Sequence, residues 1–233
     1  MTRQSRTLIV VLSFIIFVVT VAGCTKTTPT PLSASEIISK SSDKMDAINS
    51  FHFVLDQVGG GTPIAMGLEM TNAVGDVVRP DRLKATISGK LSGMFLEVQI
   101  VSVGEEMYMT NPLTGKWELL PTQFSVLKVF DPNTGIASIM KGVVGITKLS
   151  DEEVEGAICY HLSGSIDSDE LRPITVSSVP GVTIHIEVWI DQEDFLVRHI
   201  QLEGKITETE VEGIIRTLKL SNFNEEVSIE VPG

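Results

Sequence analysis

An α+β domain, one curved antiparallel sheet with helices packed on its apolar side, is the fold this sequence predicts, and three observations predict it. From Phe51 onward apolar and polar residues alternate with a period of two through a long succession of segments. The breaks between these segments are short and rich in Gly, Pro, Asn and Asp, which favours consecutive antiparallel pairing. Two stretches depart from alternation, one before the first strand and one in the middle, and they supply the helices that cover the apolar face.

The N-terminus reads as a targeting segment. Arg3 and Arg6, with no acid beside them, precede an uncharged apolar run from Leu8 to Val21 that ends in Val21-Ala22-Gly23-Cys24. That order is the order of a secretory signal. The run of 14 residues is shorter than the roughly 20 that a permanent spanning helix needs. Val21-Ala22-Gly23-Cys24 resembles the bacterial lipobox, in which small residues fit a peptidase groove and the cysteine thiol receives diacylglycerol. Residues 1–23 are therefore expected to be a lipoprotein signal peptide and Cys24 the lipidation site, placing the protein outside the cell membrane on acyl chains such as palmitate. Each buried methylene contributes about 0.8 kcal/mol, so two or three chains hold durably. The plain alternative is an ordinary signal peptide with an incidental cysteine behind it.

Residues 24–32 continue as Thr25-Lys26-Thr27-Thr28-Pro29-Thr30-Pro31-Leu32, polar and Pro-rich, the composition of an extended tether. Residues 33–233 then form one domain. Loss of residues 1–23 removes two positive charges, taking the formal charge from −12 to −14 and excluding nucleic acid as a partner. With Cys24 acylated, Cys159 is the one thiol left of the two cysteines, so packing and not a disulfide must stabilise the domain.

Ser33 and Glu36 stand at capping-box spacing and open a helix from Ser35 to Asn49, with Ile37, Ile38, Met45 and Ile48 on one side. Strands are expected at 51–58, 64–74, 83–91, 95–103, 106–110 and 116–120. Phe124 to Phe130 and Gly135 to Val143 lack alternation and are read as short helices. Strands resume at 146–155, 157–166, 182–190, 195–206 and 211–223, with a further short helix over 168–173.

The order of several turn and strand-end motifs is similar to that of the LppX/LprG lipoprotein family. The motifs are Gly75-Asp76-Val77 with Arg79-Pro80, Val103-Gly104 before Met107-Tyr108, Pro112 with Gly115-Lys116-Trp117, and Asp131-Pro132 before Gly135-Ile136. Val154-Glu155-Gly156, Val188-Trp189-Ile190-Asp191, Leu196-Val197-Arg198-His199 and Ile229-Glu230-Val231-Pro232 follow. The resemblance covers residues 33–232. It implies an unclosed half-barrel, similar in fold to the LolA and LolB lipoprotein carriers, with helices on the concave side of the sheet. It also implies an apolar cavity that takes the acyl chains of lipids or lipoglycans, and it carries over no individual binding residue.

Candidate lining is read by parity: Ile64, Met66, Leu68 and Met70; Leu96, Val98 and Ile100; Met107 and Met109; and Ile184, Ile186 and Val188. Ordinary core packing gives the same stripes. The methionines add flexible thioethers suited to varied apolar ligands. Arg198 shares the parity of Leu196 and Ile200, so its cation needs a carboxylate or an anionic head group. His52, His161, His185 and His199 all fall on the polar side without metal-ligand spacing, so no metal or other cofactor is expected. There is no Gly-x-Ser-x-Gly, His-Glu-x-x-His or phosphate loop, and no enzyme is expected. Two readings stand: a lipid or lipoglycan carrier, with envelope transport partners unidentified, or a protein-binding or structural envelope lipoprotein whose core is filled.

Overall fold

The computed structural model describes residues 31–64, 67–120, 135–171, 178–208 and 210–233. The chain divides into two units, Met1–Pro31 and Leu32–Gly233, and the fold described is that of the second. It opens with helix α1, Ala34–Asp46, closed at its start by the capping box: the Glu36 N–H donates to Ser33 Oγ at 3.3 Å and the Ser33 N–H donates to the Glu36 carboxylate at 2.8 Å. Ile37, Ile38 and Met45 are buried on one side of α1. The Ser42 hydroxyl on the same side donates to the Ala137 carbonyl of a second helix, α2, Ile136–Lys141.

Thirteen strands among the described residues form one sheet. The first seven are β1 Ser50–Val58, β2 Thr62–Pro63, β3 Glu69–Val78, β4 Arg82–Leu91, β5 Met94–Val103, β6 Glu106–Thr110 and β7 Trp117–Leu119. After α2 come β8 Val144–Lys148, β9 Glu152–Val154, β10 Ala157–Asp167, β11 Thr183–Asp191, β12 Val197–Glu203 and β13 Ile215–Ser221. Their order is β7-β6-β5-β4-β3-β1-β13-β12-β11-β10-β8, with β2 on β3 and β9 on β10, and every pairing is antiparallel. The end strands β7 and β8 do not pair, so the sheet is unclosed. A first strand paired to the last, with two meanders growing outward from that seam, is what short connections produce once the termini meet.

Local chemistry explains the bends. Ser92 and Gly93 both have positive φ, 51° and 84°, the primed turn whose twist matches a two-residue hairpin between β4 and β5. Gly75 in β3 has its neighbour's backbone pressed against the space a Cβ would fill, with Lys84 and Ala85 in the way. Glycine inside a strand marks such a close approach, which a side chain would prevent.

Three expected elements differ in the structure. The segment expected as one strand over 64–74 breaks at Gly67, φ +76°, and the strand proper runs from Glu69 to Val78 with a register shift between Met70 and Asn72. Glycine's access to positive φ lets the chain turn where hydrophobic alternation predicts continuation. The expected strand over 146–155 is two strands, β8 and β9, which pair with different parts of β10. The expected strand over 211–223 begins only at Ile215, after Gly213 turns with φ +73°. Of the short helices, α2 falls inside 135–143 and a 3₁₀ turn spans Ser168–Leu171; residues 124–130 and 172–173 lie outside the described residues.

Candidate functional site: the inner face of the sheet

One face of the sheet is apolar across its width. Cross-strand pairs carry it: Phe51 against Val77, Leu83 against Val77, Ile87 against Val98, Ile100 against Met109, Leu220 against Phe53 and Val188 against Leu162. These residues belong to the same hydrophobic cluster as Ile37 and Met45 of α1 and Ile136 and Met140 of α2, so the helices cover this face. The pleat puts their polar neighbours on the other side.

Burial along this face is uneven. Toward β10 and β11, Leu162, Ile166, Ile184, Ile186, Val188 and Ile190 are buried; toward β4 to β6, Leu83, Ala85, Ile87, Val98, Ile100, Met107 and Met109 are buried. Leu55 of β1 faces Leu218 of β13, Leu202 of β12 lies on the same side, and all three are only half-buried although they pack against the cluster. A core grows more buried toward its centre, yet Leu55, Leu202 and Leu218 keep part of their apolar surface accessible in the middle of the sheet.

Of the lining residues proposed from sequence, Val98, Ile100, Met107, Met109, Ile184, Ile186 and Val188 lie buried on this face and Leu96 half-buried at its end. Leu68 is buried, while Ile64 and Met70 are half-buried, but Ile64 and Leu68 lie off β3 and so do not share a strand face with Met70. Met66 and Cys24 lie outside the described residues. Leu55 was not singled out by sequence, although parity with Phe51 and Phe53 marks it as inward, whereas Leu202 was legible on the apolar face with Ile200, and Leu218 by parity with Ile214.

Arg216 lies on the inner parity with Leu218, whereas Arg198 sits at a bulge, with Val197 paired to inward Ile190 and His199 to outward Trp189, so the parity expected with Leu196 and Ile200 breaks there; each arginine is matched. Arg198 donates to Asp191 Oδ2 and Asp194 Oδ2, both at 2.6 Å, and its guanidinium lies 5.1 Å from the Phe223 ring centre. Its charge is thereby matched within the fold. Arg216, buried at the other end of the seam, pairs with buried Glu210 and donates to the Gly204 carbonyl at 2.9 Å. Glu210 also accepts from the Ile206 and Thr207 N–H groups and from the Thr62 hydroxyl. Burial pushes the Glu210 carboxyl up, but the bonds from Arg216, Thr207 and Ile206 outweigh it and hold the pKa below the ordinary value. Arg216 was legible by parity with Leu218; Glu210 was not, because it reaches in from a loop.

On the outer face one row runs His161, Trp189, His199, Lys219 across β10 to β13. Trp189 is sandwiched by the two imidazoles, 4.2 Å from His161 and 4.4 Å from His199, and donates from Nε1 to Glu152 at 2.8 Å. All four histidines fall outside the apolar face, as alternation requires, and no cluster of three or more metal-ligating side chains occurs among the described residues. Cys159 is fully buried, and burial with Asp191 nearby pushes its thiol up to about 11, far from a reactive thiolate.

The family model described as LppX_LprAFG lipoprotein matches residues 33–229. Among curated proteins the chain is 24% identical over 178 residues to the lipoarabinomannan carrier protein LprG of Mycobacteroides abscessus, covering 75% of this chain and 77% of that one. Among solved structures, LprF from Mycobacterium bovis aligns with a TM-score of 0.67 at 17% identity, over 85% of this chain and 96% of that chain. LppX from Mycobacterium tuberculosis aligns at 0.61 and 18% identity, over 84% and 98%. These likenesses establish the α+β fold with its unclosed antiparallel sheet, and the match over most of the chain establishes the lineage. The chain belongs to the LppX_LprAFG lipoprotein family.

Proposed function

We propose that the protein is a membrane-tethered lipoprotein that takes the acyl chains of lipids or lipoglycans onto the inner face of its sheet and carries or presents them. The observation that carries this reading is the cross-strand row of half-buried Leu55, Leu218 and Leu202 at the middle of the sheet, where apolar side chains keep accessible surface beside buried Phe53 and Leu220. An acyl chain laid there regains for those leucines the apolar burial that α1 and α2 do not supply, worth about 25 cal/mol per Å² removed from water. The name of the LprG relative, a lipoarabinomannan carrier, points the same way. Binding of this kind needs no catalytic residue and no cofactor: the chain enters and leaves by burial alone.

Displacement of a fluorescent fatty-acyl probe from the delipidated full chain tests it. Saturable binding, competed by acylated lipid and abolished by Leu55→Trp, is expected. Binding that Leu55→Trp leaves unchanged would refute the seam as the site.

The rival reading, a filled-core envelope protein, draws on the complete burial of Ile166, Ile184 and Ile190 on the β10–β11 side. It predicts no probe binding at all. For the anchor, Cys24→Ser is expected to leave the protein unacylated and out of the detergent phase on phase separation; partitioning like the wild type would remove Cys24 from its role.

A further inference from the structure

Ten large apolar residues are exposed among the described residues, and the topology gathers several of them at one end of the sheet. Asp56, Asn72, Ser88 and Glu97 form one row across β1, β3, β4 and β5. Val58 and Phe95 each lie two residues beyond that row in the same direction, and Met94 follows at the hairpin tip. Val211, in the connection between β12 and β13, joins them, since a Cβ on Gly60 just after Val58 would stand 3.1 Å from its Cγ2. Phe95 is 77% exposed, Val58 67%, Met94 62% and Val211 51%.

We propose that this end of the domain, led by Phe95 and Met94 at the β4–β5 tip, is the surface that enters the lipid bilayer when the protein loads or delivers its ligand. The proposal rests on the lipid-carrying reading and gives it an orientation. Exposed apolar clusters mark protein or membrane contacts, and three observations choose the membrane. The exposed side chains stand at the ends of β1 and β5, with β3 and β4 between them, and in the β12–β13 connection, a dispersed set that suits a fluid interface, whereas a specific protein partner needs a continuous complementary patch of about 800 Å² per side. Lys90 lies with Nζ 5.0 Å from the Phe95 ring centre, an aromatic with a cation able to reach back toward the head groups. Residues 24–32, if lipid-anchored at Cys24, span at most about 30 Å, so the domain stays within one strand length of the bilayer. Exposed Glu69, Glu97 and Glu212 stand at the same end. The contact is therefore apolar in origin and does not depend on anionic lipid.

The test places a tryptophan reporter at either end of the full chain, incorporated in phosphatidylcholine vesicles with or without acyl-brominated lipid. Phe95→Trp and, independently, Val211→Trp report the proposed end. Ile158→Trp reports the opposite one: Ile158 is the second residue of β10, three residues before the His161 row, and is 52% exposed. All three positions are open enough to accept an indole without refolding. Bromolipid is expected to quench the added emission of Phe95→Trp and Val211→Trp at least about twofold, as for groups about 5–10 Å into the interface, and to leave Ile158→Trp unaffected. The quenching should persist near 1 M salt, where the Debye length is about 3 Å. Equal quenching of all three reporters, none, or quenching abolished by salt would overturn the proposal. Quenching of the first two in a protein that binds no acyl probe would retain the docking surface and refute the carrier reading; probe binding without their quenching would do the reverse.

Discussion

Arg79 begins the turn from β3 to β4 and closes α1 at the same time. Its Nη1 donates to the carbonyls of Met45, Asp46 and Ile48 at 2.7, 3.2 and 2.9 Å, adding a charged donor to the acceptors at and just beyond the C-terminal end of the helix, where Met45 also accepts from the Ile48 N–H. Hydrogen bonds to a charged donor are worth about 1.5–3 kcal/mol, and three sharing one nitrogen do not add. Arg79→Met is expected to lower stability by about 2–3 kcal/mol in urea unfolding at unchanged slope, and a loss under about 0.5 kcal/mol would show that the cap is idle. His199 gives the pH dependence. Its Nε2 is buried without a hydrogen-bond partner, and burial first, then Lys219, holds the imidazole pKa below the usual 6.5. The unfolded chain therefore takes up a proton at higher pH than the folded one, so stability is full above 6.5 and falls as pH drops through that value. Glu210, also depressed, contributes stability present above 4.5 and lost below it. Melting temperature is thus expected to fall in two stages on acidification, and His199→Gln should flatten the first; an unchanged first stage would remove His199 as its source.

At the scale of elements, the strands were legible because alternation needs only the pleat, and the capping box fixed the start of α1 from two residues. Gly67 was not legible, because nothing in its neighbours announces a positive φ. Nor was the split of β8 from β9, since both halves alternate and the break appears only when each pairs with a different part of β10. Parity placed Val98 on the inner face correctly, but which inner positions are covered depends on how far two helices reach across the sheet, a tertiary quantity. Val98 is buried and Leu55 is half-buried, and a larger ring tells the two situations apart. Val98→Trp should overpack and cost about 1–3 kcal/mol. At about 2–4 °C per kcal/mol that is a drop of several degrees in Tm. Leu55→Trp should melt close to the wild type. Equal destabilisation would mean that the seam is ordinary core.

For the whole molecule, the first and last strands meet at the β1–β13 seam and both meanders grow away from it, and at that seam and on the neighbouring β12 Leu55, Leu218 and Leu202 stay half-covered. The lineage shares this unclosed sheet with LprF and LppX. The sheet carries buried apolar residues from β4 to β11, and apolar burial is what the proposed carrier role draws on. The most direct measurement is native mass spectrometry of the full chain purified from its own cells, wild type beside Leu218→Trp, with melting curves taken on the same samples. The account predicts an acyl-lipid adduct on the wild type, its loss in Leu218→Trp, and nearly equal melting temperatures for the two. A wild type without adduct, with Leu218→Trp strongly destabilised, would contradict it and identify the seam as filled core.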